Sequence, residues 1–310
     1  MKIKTLQTVS SALIPTKVLE IFYIIDDFCK EIEPHLTKKP LPTSDKKRRK
    51  RAFVMSDSEI MTILVAFQLS QYRNLKAFYL MICREWRSLF PKVLSYNRFV
   101  ERQKMVAVKL SLFQQIHCAG KCTGFSIIDS TPIKVCHVKR SHRNKVFLGT
   151  AQKSKGTMGW YHGFKLHIII NDMGEIVEWK LTKSTTDDRI PLKESSFTKK
   201  VFGKLYADKG YISKSLFDEL FVDGIHLVTK IRKNMKNQLM DMRDKIMLRK
   251  RSLVETVNDE LKNIVQIEHT RHRSFDGFCV NLIAAITAYH FLPKKPKLDL
   301  EIIERERWIA

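Results

Sequence analysis

The apolar pattern of this chain changes period once, near Gly120 to Gly124, and that change limits what it can fold into. Before it, apolar residues recur at helical spacing; after it, short apolar runs bounded by turn residues read as strands. In the first part, Val18 to Ile32 predicts a helix that ends in a break around Pro34, Pro40 and Pro42. The run Lys46-Lys-Arg-Arg-Lys-Arg51 holds no hydrophobic residue. Ser56-x-x-Glu59 is a capping-box pattern opening an apolar helix through Leu69. Further helices are expected over Leu75 to Trp86 and from about Ser95, the last carrying Arg98, Arg102 and Lys104.

In the second part, Phe125 to Ile128, His162 to Ile170 and Ile176 to Leu181 predict three strands, with a turn at Asn171 to Gly174. A helix from Pro191, a strand at Lys204 to Ala207, a helix at Ser213 to Phe221 and a strand at His226 to Ile231 follow. One long helix is expected from about Asp241 to Val265. Three strands followed by alternating helices and strands suit an α/β mixed sheet with helices on both faces. The expected division is a helical region over 1–118, an α/β domain over 119–293, and a charged tail over 294–310.

Charge narrows the partners. Fifty-six Lys and Arg stand against 32 Asp and Glu, a net charge of +24. Such an excess repels itself in a compact state, so a polyanion is the natural partner. A membrane fits poorly: the longest apolar run, Phe278 to Leu292, is too short to span and contains Asn281 and His290. The N-terminus lacks the pattern of a secretion signal. Six scattered cysteines form no disulfide framework, which points to a reducing cytoplasm. His117, Cys118, Cys122, Cys136 and His137 sketch a zinc site, but at irregular spacing.

Three acids carry the chemistry. Asp129 follows the apolar run Phe125 to Ile128, and Asp208 follows Leu205-Tyr-Ala207. An acid at the carboxyl end of a buried strand points into the crevice where α/β sheets bind ligands. Taken alone, either Asp is as simply read as a cap for the next turn. Arg251, Glu255 and Lys262 fall within about 40° of one another on a helix, and Asn258 joins that face. Leu253, Val254, Val257, Leu261 and Ile264 lie on the other side, ready to pack on a sheet. By itself this pattern also describes a solvated face with an i,i+4 pair.

Three converging carboxylates are hard oxygen ligands suited to Mg²⁺ or Mn²⁺. Two such ions promote in-line displacement at a phosphodiester. The segment from Ser130 to Asn171 contains no Asp or Glu, yet it holds Lys139, Arg140, Arg143 and Lys165. Basic side chains beside an acidic pocket suit contact with phosphates, although a run of charge is often only a solvated face.

Read in order, Asp129-Ser-Thr, Gly163-Phe-Lys165-Leu-His167, Asp172-x-Gly174, Thr185-Thr-Asp187-Asp188 and Ala207-Asp208-Lys-Gly-Tyr211 resemble bacterial insertion-sequence transposases of the DDE superfamily. Arg251-x3-Glu255-x6-Lys262 resembles the last three members of that family's Tyr-Arg-Glu-Lys signature, with Leu248 at the Tyr position. The resemblance covers roughly 120 to 292. It implies an RNase H-like catalytic core in which Asp129, Asp208 and Glu255 bind two Mg²⁺ or Mn²⁺. It also implies that Arg251 and Lys262 contact DNA near the cut, and that the partners are terminal inverted repeats and target DNA, engaged by a homodimer in the synaptic complex. Action in a bacterial cytoplasm, at the nucleoid, is the matching location. The N-terminal helices are expected to recognise the element ends, by a unit like a helix-turn-helix. His167 reads as a satisfied core histidine, Asp188 as a metal-site assistant or a helix cap before Pro191, and Trp160 and Tyr161 as loop packing or a stacking surface for an extruded base. Two alternatives remain open: an RNase H-like nuclease that does not join strands, and a transposase-derived repressor without catalysis.

Overall fold

The computed structural model describes residues 13–37, 53–156, 159–230, 240–268 and 272–298. The basic run at 46–51, most of the tail beyond 294 and part of the segment before the final acidic helix lie outside the described residues. The chain divides into two compact units: 1–114 with 276–291, and 115–275 with 292–310.

The first unit is helical. It contains α1 (Pro15–Thr37), α2 (Asp57–Leu69), α3 (Leu75–Glu85), α4 (Tyr96–Met105) and α5 (Ala107–Phe113), joined by the C-terminal helix α10 (Phe275–His290). The capping box is formed as expected: the Ser56 hydroxyl accepts from the Glu59 amide while the Glu59 carboxylate accepts from the Ser56 amide. α2 is buried from Ile60 through Gln68 with no polar stripe, because it runs through the middle of this unit. Gln68 donates to Asn281 of α10 across 2.6 Å, and Phe113 stacks on Phe291. These contacts hold the apolar run from Phe278 to Phe291 within the helical unit. α1 continues past Pro34 to Thr37, where a break was expected.

The second unit is a six-stranded mixed sheet. Its strands are β1 (Phe125–Cys136), β2 (Gln152–Gly156), β3 (Gly159–Ile170), β4 (Ile176–Lys183), β5 (Gly203–Ala207) and β6 (Ile225–Thr229). The order is β2-β3-β1-β5-β6, with β4 also paired to β3. β3 is antiparallel to its partners β1, β2 and β4, while β5 and β6 run parallel to β1. The order of predicted elements implied a mixed sheet, and the resemblance implied this RNase H-like one. The turn Asn171 to Gly174 closes as expected, with Gly174 at φ +69°, where a side chain is strained.

One face of the sheet packs Ile128, Ile169, Leu205 and Leu227 against a short helical turn, α6 (Ser195–Thr198), and against α7 (Lys214–Val222). Where a helix was expected from Pro191, the chain makes only a 3-10 turn at Pro191–Lys193 and then α6. The opposite face receives α8 (Met242–Lys250) and α9 (Ser252–Asn263). Asp244 of α8 accepts from the Tyr206 hydroxyl at 2.8 Å and from Lys204 at 2.7 Å, which ties the helix to β5. The single long helix expected from Asp241 is thus two. At Arg251 the backbone adopts φ −56°, ψ −20°, and the Val254 amide bonds to the Arg251 carbonyl, a tighter i→i+3 closure. This break re-aims α9, so that Leu253, Val254, Val257 and Leu261 are buried on the side that packs against β1 while Arg251 and Glu255 stay on the open side; Ile264, expected on the packed side, is exposed because α9 ends before it at Asn263.

Candidate active site

β1 does not stop at Asp129, as the sequence suggested; it runs on to Cys136 alongside β3. What stops is its other partner. β5 pairs with β1 only from Phe125 to Ile127, the last pair being Ile127 with Tyr206. Asp129 and Asp208 each lie two residues beyond that pair. They therefore flank the crevice where the parallel sheet ends, although β1 itself is continuous.

The third acid arrives from the helix layer. Arg251, at the junction of α8 and α9, places Nη1 3.6 Å from Oδ1 of Asp129. Its Nη2 lies 3.8 Å from Oδ1 of Asp208 and 3.6 Å from Oε1 of Glu255. One guanidinium thus gathers all three acids. Arg251 is largely covered, its side chain 17 % exposed, whereas Asp208 and Glu255 are 54 % and 63 % exposed. Asp129 is the most covered of the three acids, its side chain 22 % exposed. Burial pushes its carboxyl up to about 6, against the pull of Arg251 and a backbone hydrogen bond from Ser130, with Glu255 and Asp208 adding to the rise. Asn258, one turn beyond Glu255, donates from Nδ2 to Oδ2 of Asp129 at 3.1 Å. That contact is a site feature whose sequence signal was only its place on the polar face of α9.

Among the described residues no group of three His, Cys, Asp or Glu stands assembled to hold an ion, since the carboxylates are spread around Arg251. The donor set nonetheless fits a hard divalent cation. All three ligands are carboxylates, two are exposed, and Glu255 is on a flexible side chain in the first turn of α9. The zinc sketch has no counterpart: no such cluster exists among the described residues, and burial pushes the Cys118 thiol up to about 12.

The remaining candidates occupy distinct places. Lys262 lies farther along the same face of α9, and burial lowers its pKa, partly offset by Glu268. Lys139 and Arg140 are exposed on the 3-10 turn Val138–Arg143, as is Arg143. Lys165 is engaged within the fold, donating to the Thr186 carbonyl at 2.8 Å and pairing with Asp188 at 3.0 Å. His167 pairs in register with Ser130, so it shares that residue's face and points away from Asp129. It is fully buried, bonded to the Thr182 hydroxyl at 2.9 Å. Burial lowers its pKa to about 4 despite nearby Asp188. Asp188 does not cap the turn at Pro191, whose first position is flanked by Ile190 without a side-chain cap. Leu248, at the Tyr position of the signature, is buried in α8. Of the aromatic pair, Tyr161 is buried and Trp160 is 64 % exposed.

One acid on β1, a second just past the end of the neighbouring β5 and a third on α9, packed against β1, is the arrangement that the resemblance to DDE enzymes implied. The sequence profile described as Transposase DDE domain matches residues 119–275, half of the chain, and the chain belongs to that family. A search of curated protein sequences returns no match. Among solved structures, the chain is similar to a piggyBac transposase in a synaptic complex with hairpin DNA, with 12 % identity, coverage of 95 % of this chain and 81 % of that one, and a TM-score of 0.45. It is also similar to Mos1 transposase in its strand transfer complex, with 12 % identity, coverage of 89 % and 96 %, and a TM-score of 0.24. A Mos1 paired-end complex with Mn matches at 12 % identity, coverage of 69 % and 77 %, and a TM-score of 0.20. Among the described residues no helix is long and apolar enough to cross a membrane.

Proposed function

We propose that this chain cuts DNA at the ends of an insertion sequence and joins those ends to target DNA, with Asp129, Asp208 and Glu255 as the metal-binding carboxylates. The observation that carries this reading is the convergence of the three acids on one guanidinium, from two strands and a helix. Asp129, Asp208 and Glu255 would hold two Mg²⁺ or Mn²⁺, which would supply activation of the attacking oxygen and stabilisation of the leaving one.

The chain's own residues do the rest. Asn258 holds the Asp129 carboxylate by one oxygen, and the other lies beside the Arg251 guanidinium. Lys262 sits on the same helix face as Glu255 and is suited to a phosphate beside the scissile one. Lys139, Arg140 and Arg143 project from the basic stretch that follows Asp129, a placement suited to the sugar–phosphate backbone. Lys165, bound to Asp188 and the Thr186 carbonyl, braces the strand layer in this reading. The helical unit recognises the inverted repeats, and a homodimer brings two ends together. Action at the bacterial nucleoid follows from the resemblance to bacterial insertion-sequence enzymes.

The test is a paired gel-shift and Mg²⁺-started cleavage assay on end DNA. Glu255→Gln keeps shape but removes the charge that a metal ligand needs, so cleavage should collapse while binding survives. A Glu255→Gln protein that cuts as well as the parent overturns the assignment. A joining assay separates a transposase from a nuclease that only hydrolyses.

A further inference from the structure

Arg251 places a cation among the three carboxylates proposed to bind metal. Its guanidinium is largely covered, yet none of its distances to the carboxylates is below 3.6 Å. Among the described residues it donates no hydrogen bond to any of them, so its attraction is charge without a locked geometry. A guanidinium has five N–H donors in a planar fork that matches a phosphate as well as a carboxylate. Its backbone stands at the break between α8 and α9. A cation placed among three acids opposes the entry of any further cation.

We propose that Arg251 is a positioning residue that makes cation loading depend on DNA. Without DNA it competes with divalent ions for Asp129, Asp208 and Glu255. When DNA arrives, the guanidinium turns its unspent donors to a backbone phosphate and releases the carboxylates. This inference rests on the proposed assignment of the three acids and adds to it the order in which the site fills. The coupling is reciprocal: whatever factor DNA adds to cation affinity, the cation must add to DNA affinity.

The experiment measures Mn²⁺ binding to the full chain by the electron paramagnetic resonance signal of free Mn²⁺, with and without a short duplex of end DNA. In the free protein Arg251→Gln should bind Mn²⁺ at least tenfold more tightly than the parent, equivalent to about 1.4 kcal/mol. Arg251→Lys, which retains the charge, should stay near the parent. Adding duplex should raise the affinity of the parent more than that of Arg251→Gln, by about the factor the substitution already released. A residue that merely supports the fold would behave oppositely, since its loss loosens the acids and weakens Mn²⁺ binding. Equal or weaker binding by Arg251→Gln overturns the proposal, as does an undiminished response to DNA. Asp129→Asn separates this failure from failure of the site itself. If Asp129→Asn still binds Mn²⁺ like the parent, the acids are not the cation site and both readings fall. If it abolishes binding while Arg251→Gln changes nothing, only the coupling falls.

Discussion

Asn258 and Asp129 are 129 residues apart in sequence and joined by one hydrogen bond of 3.1 Å, from an amide on α9 to a carboxylate on β1. It ties the helix that carries Glu255 to the strand that carries the first acid. Asn258→Ala should lower Mg²⁺-dependent cleavage about 10- to 100-fold, the usual effect of losing a group that orients a metal ligand. DNA binding by gel shift should be unchanged. Cleavage at the parent rate would show that Asp129 orients itself.

The exposed basic turn is expected to act through phosphate. Replacing Lys139, Arg140 and Arg143 with Ala should flatten the salt dependence of DNA binding. Each lost contact lowers the slope of log K against log salt by roughly 0.9. An unchanged slope relegates these residues to a solvated surface.

His167 makes the fold sensitive to acid. Its folded pKa is lowered to about 4 by burial, while an exposed histidine in the unfolded chain titrates near 6.5. Between these values the unfolded chain binds the extra proton, so stability falls as the pH drops from about 6.5 to about 4. Above that window the contribution is fully present. Its full extent is on the order of 3 kcal/mol at about 1.4 kcal/mol per unit. Urea unfolding at stepped pH should show the decline, and His167→Gln, though less stable at neutral pH, should show a shallower one. His272, also lowered to about 4 by burial, keeps part of the slope. An identical slope in the variant excludes His167 as its source.

Gly163 marks a tight passage between strands. A Cβ there would lie 2.0 Å from the Ile133 carbonyl oxygen, next to the point where the β1–β3 register shifts. Backbone cannot yield like the end of a side chain, so Gly163→Ala should destabilise the catalytic unit by more than about 3 kcal/mol. Chemical denaturation should show the loss, and a variant within about 0.5 kcal/mol of the parent would mean that the strands separate freely.

Much of this protein was legible in its sequence because the signals are local. The capping box at Ser56 and Glu59, the turn at Asn171 to Gly174, and five of the six strands follow from neighbours in the chain. β2 was missed because Gln152 to Gly156 has no apolar alternation; it is held at the sheet edge by pairing with β3. The helix from Pro191 failed because only a few residues there find a surface to pack on.

The nature of the three acids, and their order along two strands and a helix, were determined by sequence alone, since residue type and period need no partner. The tertiary structure decided where the crevice opens. Asp129 is exposed to it because β5 ends beside β1, not because β1 itself ends. The structure also decided that α8 and α9 are separate helices, since the break at Arg251 lets α9 bury one face on β1 and keep the other open. The sharing of one guanidinium by all three carboxylates exists only once those elements meet. Charge acts through space, and residues 129, 208, 251 and 255 become neighbours only in the folded chain.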